Sequence, residues 1–296
     1  MGKKKLYSII LVNYNGETIL PDCLNSIDKC VPQNNCEIIL VDNASQDGSV
    51  KLVSEKFPYV KIVKLSENYG FGAGNNVGAS MAYGEFLFLL NTDTILTENI
   101  FPHLIALMHD NPQIGIIGPK LLNSDGSFQI SFAHTISIQG EYQTQKLHQA
   151  ATNTVQRKLI EQQYKQLKEV DVVVGAALFI RSNLFHKLGG FDEKFFMYFE
   201  ESDLCKRAQK QGYKIIYTPD ISLIHLKGYS TQKTINPMTL EYRRSQLYYY
   251  HKHRRFIEQI LLRIYLFTKF MLEWISTGNP FSRKILILIM TFNPNK

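Results

Sequence analysis

The sequence contains no uninterrupted apolar run of roughly 18 residues, the length that crosses a bilayer as a helix, so no ordinary membrane span is expected. Its four cysteines, Cys23, Cys30, Cys36 and Cys205, form no CxxC pair and no metal-ligand spacing. That argues against a cysteine-based metal site and for a reduced, cytoplasmic compartment. Lys3, Lys4 and Lys5 precede a short apolar run, as in a signal peptide. The run stops at Asn13 with no small-residue cleavage site after it, and a signal is not expected. Acidic residues are scarce toward the C-terminus. Residues 243–284 carry nine Lys or Arg against only Glu258 and Glu273, which accounts for the whole net charge of +7. Apolar residues still dominate that segment, so nucleic-acid binding is not expected.

What is present fits a soluble globular protein of one large or two small domains: 296 residues, 45% apolar and 20% charged. Strand-like runs at Tyr7–Val12, Glu37–Val41 and Val60–Leu65 alternate with helical spacing at Leu20, Leu24 and Ile27 and over residues 50–57. Such alternation predicts βαβ units and a parallel sheet. The first two runs end in polar residues (Asn13 to Gly16, Asp42 to Ser45), and a fourth run, residues 85–94 (EFLFLLNTDT), ends in Asn91, Thr92, Asp93 and Thr94. In open α/β sheets ligands lie outside the carboxyl ends of the strands. Asn91 and Asp93 therefore offer two hard oxygen donors at a ligand edge, a set that suits Mg²⁺ or Mn²⁺ with positions left for phosphate. A polar turn would use the same residue types.

The glycines at 70, 72, 74 and 78 miss the third glycine of a dinucleotide fingerprint, and no acidic residue follows at the right interval. Gly74 and Gly78 are expected to pack a helix on the sheet, while Phe71 and Asn75 could face a base or sugar. Residues 97–120 read as a helix and a short strand, Ile114–Ile117. Residues 123–168 read as an insertion or acceptor loop, and Val170–Ile180 as one strand in which Gly175, Ala176 and Ala177 leave room for a ligand. Next, Glu200, Glu201 and Asp203 head a helix directly after the aromatic residues Phe195, Phe196, Tyr198 and Phe199. The carboxylates could simply serve the helix dipole. An apolar wall would instead raise a carboxyl pKa toward values useful in a base. Two strands, Tyr213–Tyr217 and Ile221–Ile224, lead to His225.

Residues 9–16 (IILVNYNG), 39–48 (ILVDNASQDG), 68–76 (NYGFGAGNN), 90–94 (LNTDT), 189–207 (GGFDEKFFMYFEESDLCKR) and His225 together resemble a family 2 glycosyltransferase of the GT-A fold, in the branch with bacterial rhamnosyltransferases. The resemblance implies an α/β catalytic domain over residues 1–235, with a mostly parallel nucleotide-binding sheet flanked by helices. A C-terminal helical extension follows over 236–296, of which 243–253 is similar to a segment found in that branch. Asp42 would bind the base with Asn13 closing over it, and Asn68, Phe71, Asn75, Asn91 and Thr92 would line the donor site. Asp93, Asn91 and His225 would hold the metal. Glu201 stands where the family has the aspartate of a Glu-Asp pair, the usual base, with Glu200 and Asp203 beside it. The Glu-Glu pair and Asn91 depart from the family pattern. The implied reaction is inverting transfer from a nucleoside-diphosphate sugar to a glycan or polyprenyl-linked acceptor in surface polysaccharide synthesis.

Two other classes remain open: a catalytically inactive nucleotide-sugar-binding partner, and a sugar nucleotidyltransferase. The latter would place basic residues in a Gly-rich loop after the first strand, where Asn13, Tyr14, Asn15 and Gly16 stand. On a helical projection of 254–276, Ile257, Ile260, Leu261, Ile264, Phe267, Met271, Trp274 and Ile275 share one face, and charged residues take the other, interrupted by Leu266 and Phe270. This pattern suits either a helix at the inner face of the membrane, bound through residues 243–292, or one packed on the catalytic domain or a second subunit, so a homodimer stays open.

Overall fold

The computed structural model describes residues 6–32, 34–226 and 235–294, so the Lys3–Lys5 run and the proposed domain boundary at 235 fall outside or at the edge of the described residues. The first half alternates as expected: β1 (Tyr7–Asn13), α1 (Leu20–Cys30), β2 (Cys36–Asp42), α2 (Ser49–Lys56), β3 (Lys61–Lys64), α3 (Gly70–Ser80) and β4 (Phe86–Asn91). These four strands are parallel, in the order β3-β2-β1-β4. Their ends are nearly flush, because Asn13 pairs with Asp42 and Val12 with Asn91. β4 is buried along five of its six residues, which explains its unbroken apolar run.

The second half is β5 (Thr94–Leu96), α4 (Phe101–Asp110), β6 (Ile114–Leu122), β7 (Phe128–Gln129), β8 (Phe132–Ala133), α5 (Ile138–Thr152), α6 (Thr154–Gln163), β9 (Lys168–Glu169), β10 (Val172–Val173), β11 (Ala177–Arg181), α7 (Ser182–Lys187), α8 (Glu200–Lys210) and β12 (Lys214–His225). The sheet continues β4-β11-β6-β12-β5, and here the sequence reading needs correction. β11 runs antiparallel to both β4 and β6, so this half is mixed. Val170–Ile180 is not one strand: it breaks at residues 174–176, because Val174 turns to bond the Ser131 carbonyl and Ala176 bonds Asn91. The two strands expected before His225 are one, with a register shift between Thr218 and Ser222, and the 114–117 strand runs on to Leu122. Residues 138–163 form two helices, of which α5 buries only Gly140. So sparse an apolar face gives little periodicity to read.

One sheet face packs on α1 and α4 through Leu24, Ile27, Leu104 and Met108; the other packs on α3, α7 and α8 through Ala79, Phe185 and Leu204. α3 lies close on the sheet for the reason expected of its glycines. A Cβ on Gly74 would sit 2.7 Å from Val12, and one on Gly78 2.4 Å from Ile10. The C-terminal helices α9 (Ile235–His253), α10 (Phe256–Thr277) and α11 (Pro280–Thr291) share a third core with Ile136, Phe195 and Phe199. They pack directly on the catalytic sheet's helix layer through those side chains.

Candidate functional site

The strand ends gather the polar residues on one edge. Asn13 is fully buried, and its amide donates to Asp42 Oδ1 (2.9 Å), Ser45 Oγ (3.0 Å) and Ser49 Oγ (2.9 Å). Asp42 Oδ2 accepts from the Ser45 backbone N–H at 3.1 Å. The β1 and β2 ends are thus bonded to each other, while Asn13 Oδ1 is buried without a partner. An orphaned acceptor at a strand end is a candidate contact for a base N–H. Asn68 and Asn75 are differently employed. Asn68 Oδ1 accepts from Gly70 N–H at 3.0 Å, closing the turn into α3. Asn75 is 1% exposed; its amide N–H donates to the Phe71 carbonyl of its own helix and braces α3, while its Oδ1 is buried without a partner.

A run of contacts links this corner to the carboxylates. Asn43, which the sequence reading passed over, donates to the Gly70 carbonyl at 2.9 Å and accepts from Tyr69 N–H at 3.2 Å. Gly70 has φ +89°, and a Cβ there would lie 2.1 Å from the Phe196 carbonyl oxygen, so only glycine lets α3 start so near the aromatic run. Phe71 N–H donates to that same carbonyl at 3.0 Å. Gly72 lies against Glu200, and Gly175 against both Phe71 and Glu201, with contacts of 3.6–3.8 Å to a Cβ placed on either glycine. Finally Asn91 N–H donates to the carbonyl of Ala176, next to Gly175, at 2.9 Å. Because β11 is antiparallel, its start and not its end reaches this edge, and Gly175 comes with it.

Tyr198 and Phe199 both have φ +69°, a left-handed backbone that costs non-glycine residues free energy. The double turn drives their rings into the third core against Tyr242 and Tyr249 and points the first turn of α8 at the sheet edge. Both glutamates therefore lose solvent. Oε2 of Glu200 and of Glu201 are buried without partners. Burial pushes Glu201 up to about 7, against the opposing pull of the Glu201 and Ser202 backbone N–H groups. Burial and the charge of Glu201 hold Glu200 well above the carboxylate range. Asp203 behaves oppositely. It is fully buried, yet His253 Nε2 (2.6 Å), Arg207 (2.7 Å) and Lys252 Nζ (2.7 Å) surround it and bring it down to about 2 in spite of its burial. The structure corrects its grouping with the glutamates: Asp203 ties α8 to α9 and is too weak a base to take a proton near neutrality.

Asp93 and His225 meet because β12 pairs antiparallel with β5, placing His225 opposite Thr94. Their side chains, Asp93 Oδ1 and His225 Nε2, stand 3.4 Å apart. Gln129 decides which ring nitrogen carries the proton. Its Nε2 donates to the His225 carbonyl (3.1 Å) and to Asn123 Oδ1 (2.8 Å), which fixes the amide orientation. Its Oε1 then accepts from His225 Nδ1 at 2.7 Å. A neutral His225 thus carries its proton on Nδ1 and presents the Nε2 lone pair toward Asp93. A lone pair and a carboxylate facing each other at 3.4 Å fit a divalent cation, with Asn91 and substrate phosphate oxygens available to complete the shell. Asn91 makes no side-chain hydrogen bond among the described residues that competes for its oxygen; its backbone carbonyl accepts from Thr94 Oγ1. Thr92 is nearly buried beside them. Gln129 was not singled out from the sequence. Its only signal is a polar residue between Phe128 and Ile130 in an apolar run.

The family model for glycosyl transferase family 2 matches residues 8–187. The chain belongs to that family. Among its relatives is the N-acetylglucosaminyl-diphospho-decaprenol L-rhamnosyltransferase of Mycobacterium tuberculosis, 26% identical over 241 residues that cover 75% of this chain and 76% of the relative. The dTDP-rhamnosyl transferase RfbF of Shigella flexneri is 23% identical, with 75% of this chain and 69% of that protein covered. In fold the chain is similar to GalNAc-T7, solved with UDP, GalNAc and Mn²⁺ (TM-score 0.59, 17% identity, 84% of this chain and 50% of that one). It is also similar to the mannosyltransferase PcManGT of Pyrobaculum calidifontis, solved with GDP-Man and Mn²⁺ (TM-score 0.56, 16% identity, 97% and 70%). The GT-A fold and the rhamnosyltransferase-like branch stand as expected.

Proposed function

We propose that this family 2 glycosyltransferase moves a sugar from a nucleoside-diphosphate donor to a hydroxyl of a glycan or polyprenyl-linked glycan, with inversion at the anomeric carbon, in surface polysaccharide synthesis. One observation carries the reading: a buried carboxyl, Glu201, poised near 7 on the same sheet edge as the Asp93–His225 pair. In the free site Asn13 and Asp42 would receive the base, and Asp93, His225 and Asn91 would hold Mg²⁺ or Mn²⁺. A divalent ion bound there would neutralise charge developing on the departing diphosphate. Glu201 takes the acceptor hydroxyl's proton through its carboxylate oxygen as that hydroxyl attacks from the face opposite the diphosphate. Burial and the charge of Glu201 hold Glu200 well above the carboxylate range, which disfavours a second negative charge in the pocket. Phe71 and the strained Tyr198–Phe199 turn keep water from the carboxyls.

One relative is named an N-acetylglucosaminyl-diphospho-decaprenol L-rhamnosyltransferase, and this supports a lipid-linked acceptor here. We place the protein at the inner face of the membrane as a peripheral enzyme. No helix among the described residues is long and apolar enough to cross a bilayer. An inactive sugar-nucleotide-binding partner is the weaker reading, since a carboxyl held near 7 at a cost to stability has no use in a purely binding site. Incubation with a panel of UDP-, GDP- and dTDP-sugars and Mn²⁺ tests the proposal. Release of nucleoside diphosphate from one donor, accelerated by a hydroxyl acceptor, is expected. Tight donor binding with no turnover of any donor would favour the inactive partner.

A further inference from the structure

The α10–α11 hairpin is apolar on two opposite sides, and only one of them is used. Leu262, Leu266 and Phe270 on α10, with Ile285, Leu286 and Ile289 on α11, are buried in the third core. Leu266 and Phe270 are the two residues that interrupt the charged side of the helical projection, and they turn out to be the docking face. Of the apolar side of that projection, Ile257, Leu261, Ile264, Trp274 and Ile275 are exposed, while Phe267 and Met271 pack against the third core. Tyr265 and Leu272 add to this exposed stripe of α10, in which Leu272 and Ile275 are exposed by 67% and 71%. On α11, Ile287 and Met290 are exposed as well. Apolar surface this continuous, on a helix already anchored by its other side, marks a contact surface.

Charge selects the occupant. Of the nine basic residues of this region, Lys252 pairs with Asp192 and Asp203, Arg254 with Glu258, Arg244 with Glu241, Arg243 bonds Gln246, and Arg263 bonds the Ile289 carbonyl. Arg244 is exposed but paired, whereas Arg255, Lys269, Arg283 and Lys284 are exposed with no ion pair among the described residues. Both acids of the hairpin are half-buried and partnered: Glu258 with Arg254, and the Glu273 carboxylate with the Asn279 amide at 3.4 Å. The outer side therefore offers apolar side chains and positive charge with no exposed acid. A second copy docked face to face would set these cations against their own counterparts, and protein interfaces are poor in lysine. An anionic lipid surface satisfies both features.

We infer that the outer side of α10 and α11 lies flat in the interfacial layer of an anionic bilayer, with Ile257, Leu261, Ile264 and Leu272 below the headgroups and Arg255, Lys269, Arg283 and Lys284 among them. The inference deepens the peripheral location proposed above and rests on it. It has a consequence for the reaction. The inner side of the same hairpin packs in one core with Phe195 and Phe199, the residues that set the first turn of α8, so Glu201 is held within one helix layer of the lipid. A lipid-anchored hydroxyl could then reach the base without leaving the membrane.

The test is flotation of the full-length protein with mixed phosphatidylglycerol–phosphatidylcholine vesicles and with phosphatidylcholine alone. Wild type should float with the anionic vesicles at low salt and lose most of that binding at high salt. The variant Ile257→Glu/Leu261→Glu/Ile264→Glu should partition at least about tenfold less, and Arg283→Glu/Lys284→Glu several-fold less. Both should keep wild-type circular dichroism and wild-type donor turnover with a soluble acceptor, which separates a lost surface from a lost fold. A triple variant that floats as well as wild type overturns the assignment of this face and leaves a peripheral location standing. Wild type that floats with neither vesicle overturns both. A wild-type dimer that the triple variant converts to monomer gives the face to a second copy and overturns the inference.

Discussion

Replacing Glu201 by glutamine should cost the protein its activity and make it more stable, and the two effects have one origin. Burial moves the Glu201 carboxyl from 4.5 to about 7. Folded protein therefore holds a proton that the unfolded chain releases between those values, so stability falls as pH rises through that window and the loss is complete above about 7. The difference is worth about 3 kcal/mol at pH 8 and about 1 kcal/mol at pH 5.5. Glutamine has the same shape and no charge to bury. Glu201→Gln should melt roughly 4–6 °C above wild type at pH 8 and barely above it at pH 5.5. In the same window wild-type kcat/KM should drop about tenfold per unit as pH falls below 7, because the protonated carboxyl cannot accept the acceptor's proton. Glu201→Gln should lose turnover by a hundredfold or so at all pH values while donor binding survives. Burial and not the charge of Glu200 raises Glu201, so Glu200→Gln serves as the control and should leave the acidic limb near its wild-type position. Thermal unfolding and pH–rate profiles check this. A Glu201→Gln protein that melts at or below wild type at pH 8, or a wild-type rate flat from pH 6 to 8, refutes the reasoning.

Asp93→Ala should abolish Mn²⁺-dependent turnover and leave the melting temperature of the metal-free protein within a few degrees of wild type; near-normal turnover, or full wild-type activity in EDTA, would refute the metal assignment. Gln129→Leu should weaken Mn²⁺ binding by about 10- to 100-fold, measured by Mn²⁺ electron paramagnetic resonance titration, because His225 loses the acceptor that holds its proton on Nδ1. Gln129→Glu keeps that acceptor and should bind more tightly than Gln129→Leu; equal affinities would show that the tautomer does not depend on residue 129. Asp203→Asn should destabilise the protein by about 3–5 kcal/mol in urea unfolding at pH 7, since Lys252, Arg207 and His253 lose their shared anion. A loss under about 1 kcal/mol would mean the cluster is not coupled to folding.

The parts of the site that were legible in the sequence are those set by local pattern. β4 announced itself because a strand buried on both faces has no polar positions until its end, and the polar residues then fall on the ligand edge. The strand-end positions of Asn13, Asp42 and Asn91, with Asp93 just beyond, were legible this way. The Glu200–Glu201 pair was legible through its aromatic neighbours, since an apolar run directly before two carboxylates forecasts desolvation. What stayed hidden depends on contacts between distant segments. Asp203 shares the helix turn of the glutamates, and nothing in residues 195–207 shows that Lys252 and His253 come from 50 residues away to ionise it. Gln129 lies 96 residues from His225, and the β12–β6 and β6–β7 pairings bring them together. The mixed half of the sheet was misread for a related reason: strand direction is a property of pairing, and five-residue β11 carries the same apolar signature whichever way it runs.

Those hidden contacts tie the chemistry to the C-terminal helices, which composition alone set apart as a basic extension. α9 bonds the Met197 carbonyl through Ser245, Asp192 through Tyr248 and Lys252, Asp203 through His253, and Glu141 of α5 through Tyr250. Every one of these partners lies in the segment leading into α8, in α8 itself or in the inserted helices. The left-handed turn at Tyr198 and Phe199 costs free energy, as does each buried glutamate, and other contacts must offset that cost. α9 supplies such contacts, by stacking Tyr242 and Tyr249 on Phe199 and by neutralising Asp203. A chain ending before α9 would therefore keep Asn13, Asp42 and Asp93 at the edge of an intact sheet while the turn that buries Glu201 relaxed. On the proposed reading, donor recognition is supported by the parallel half of the sheet and proton transfer by the helices that follow it.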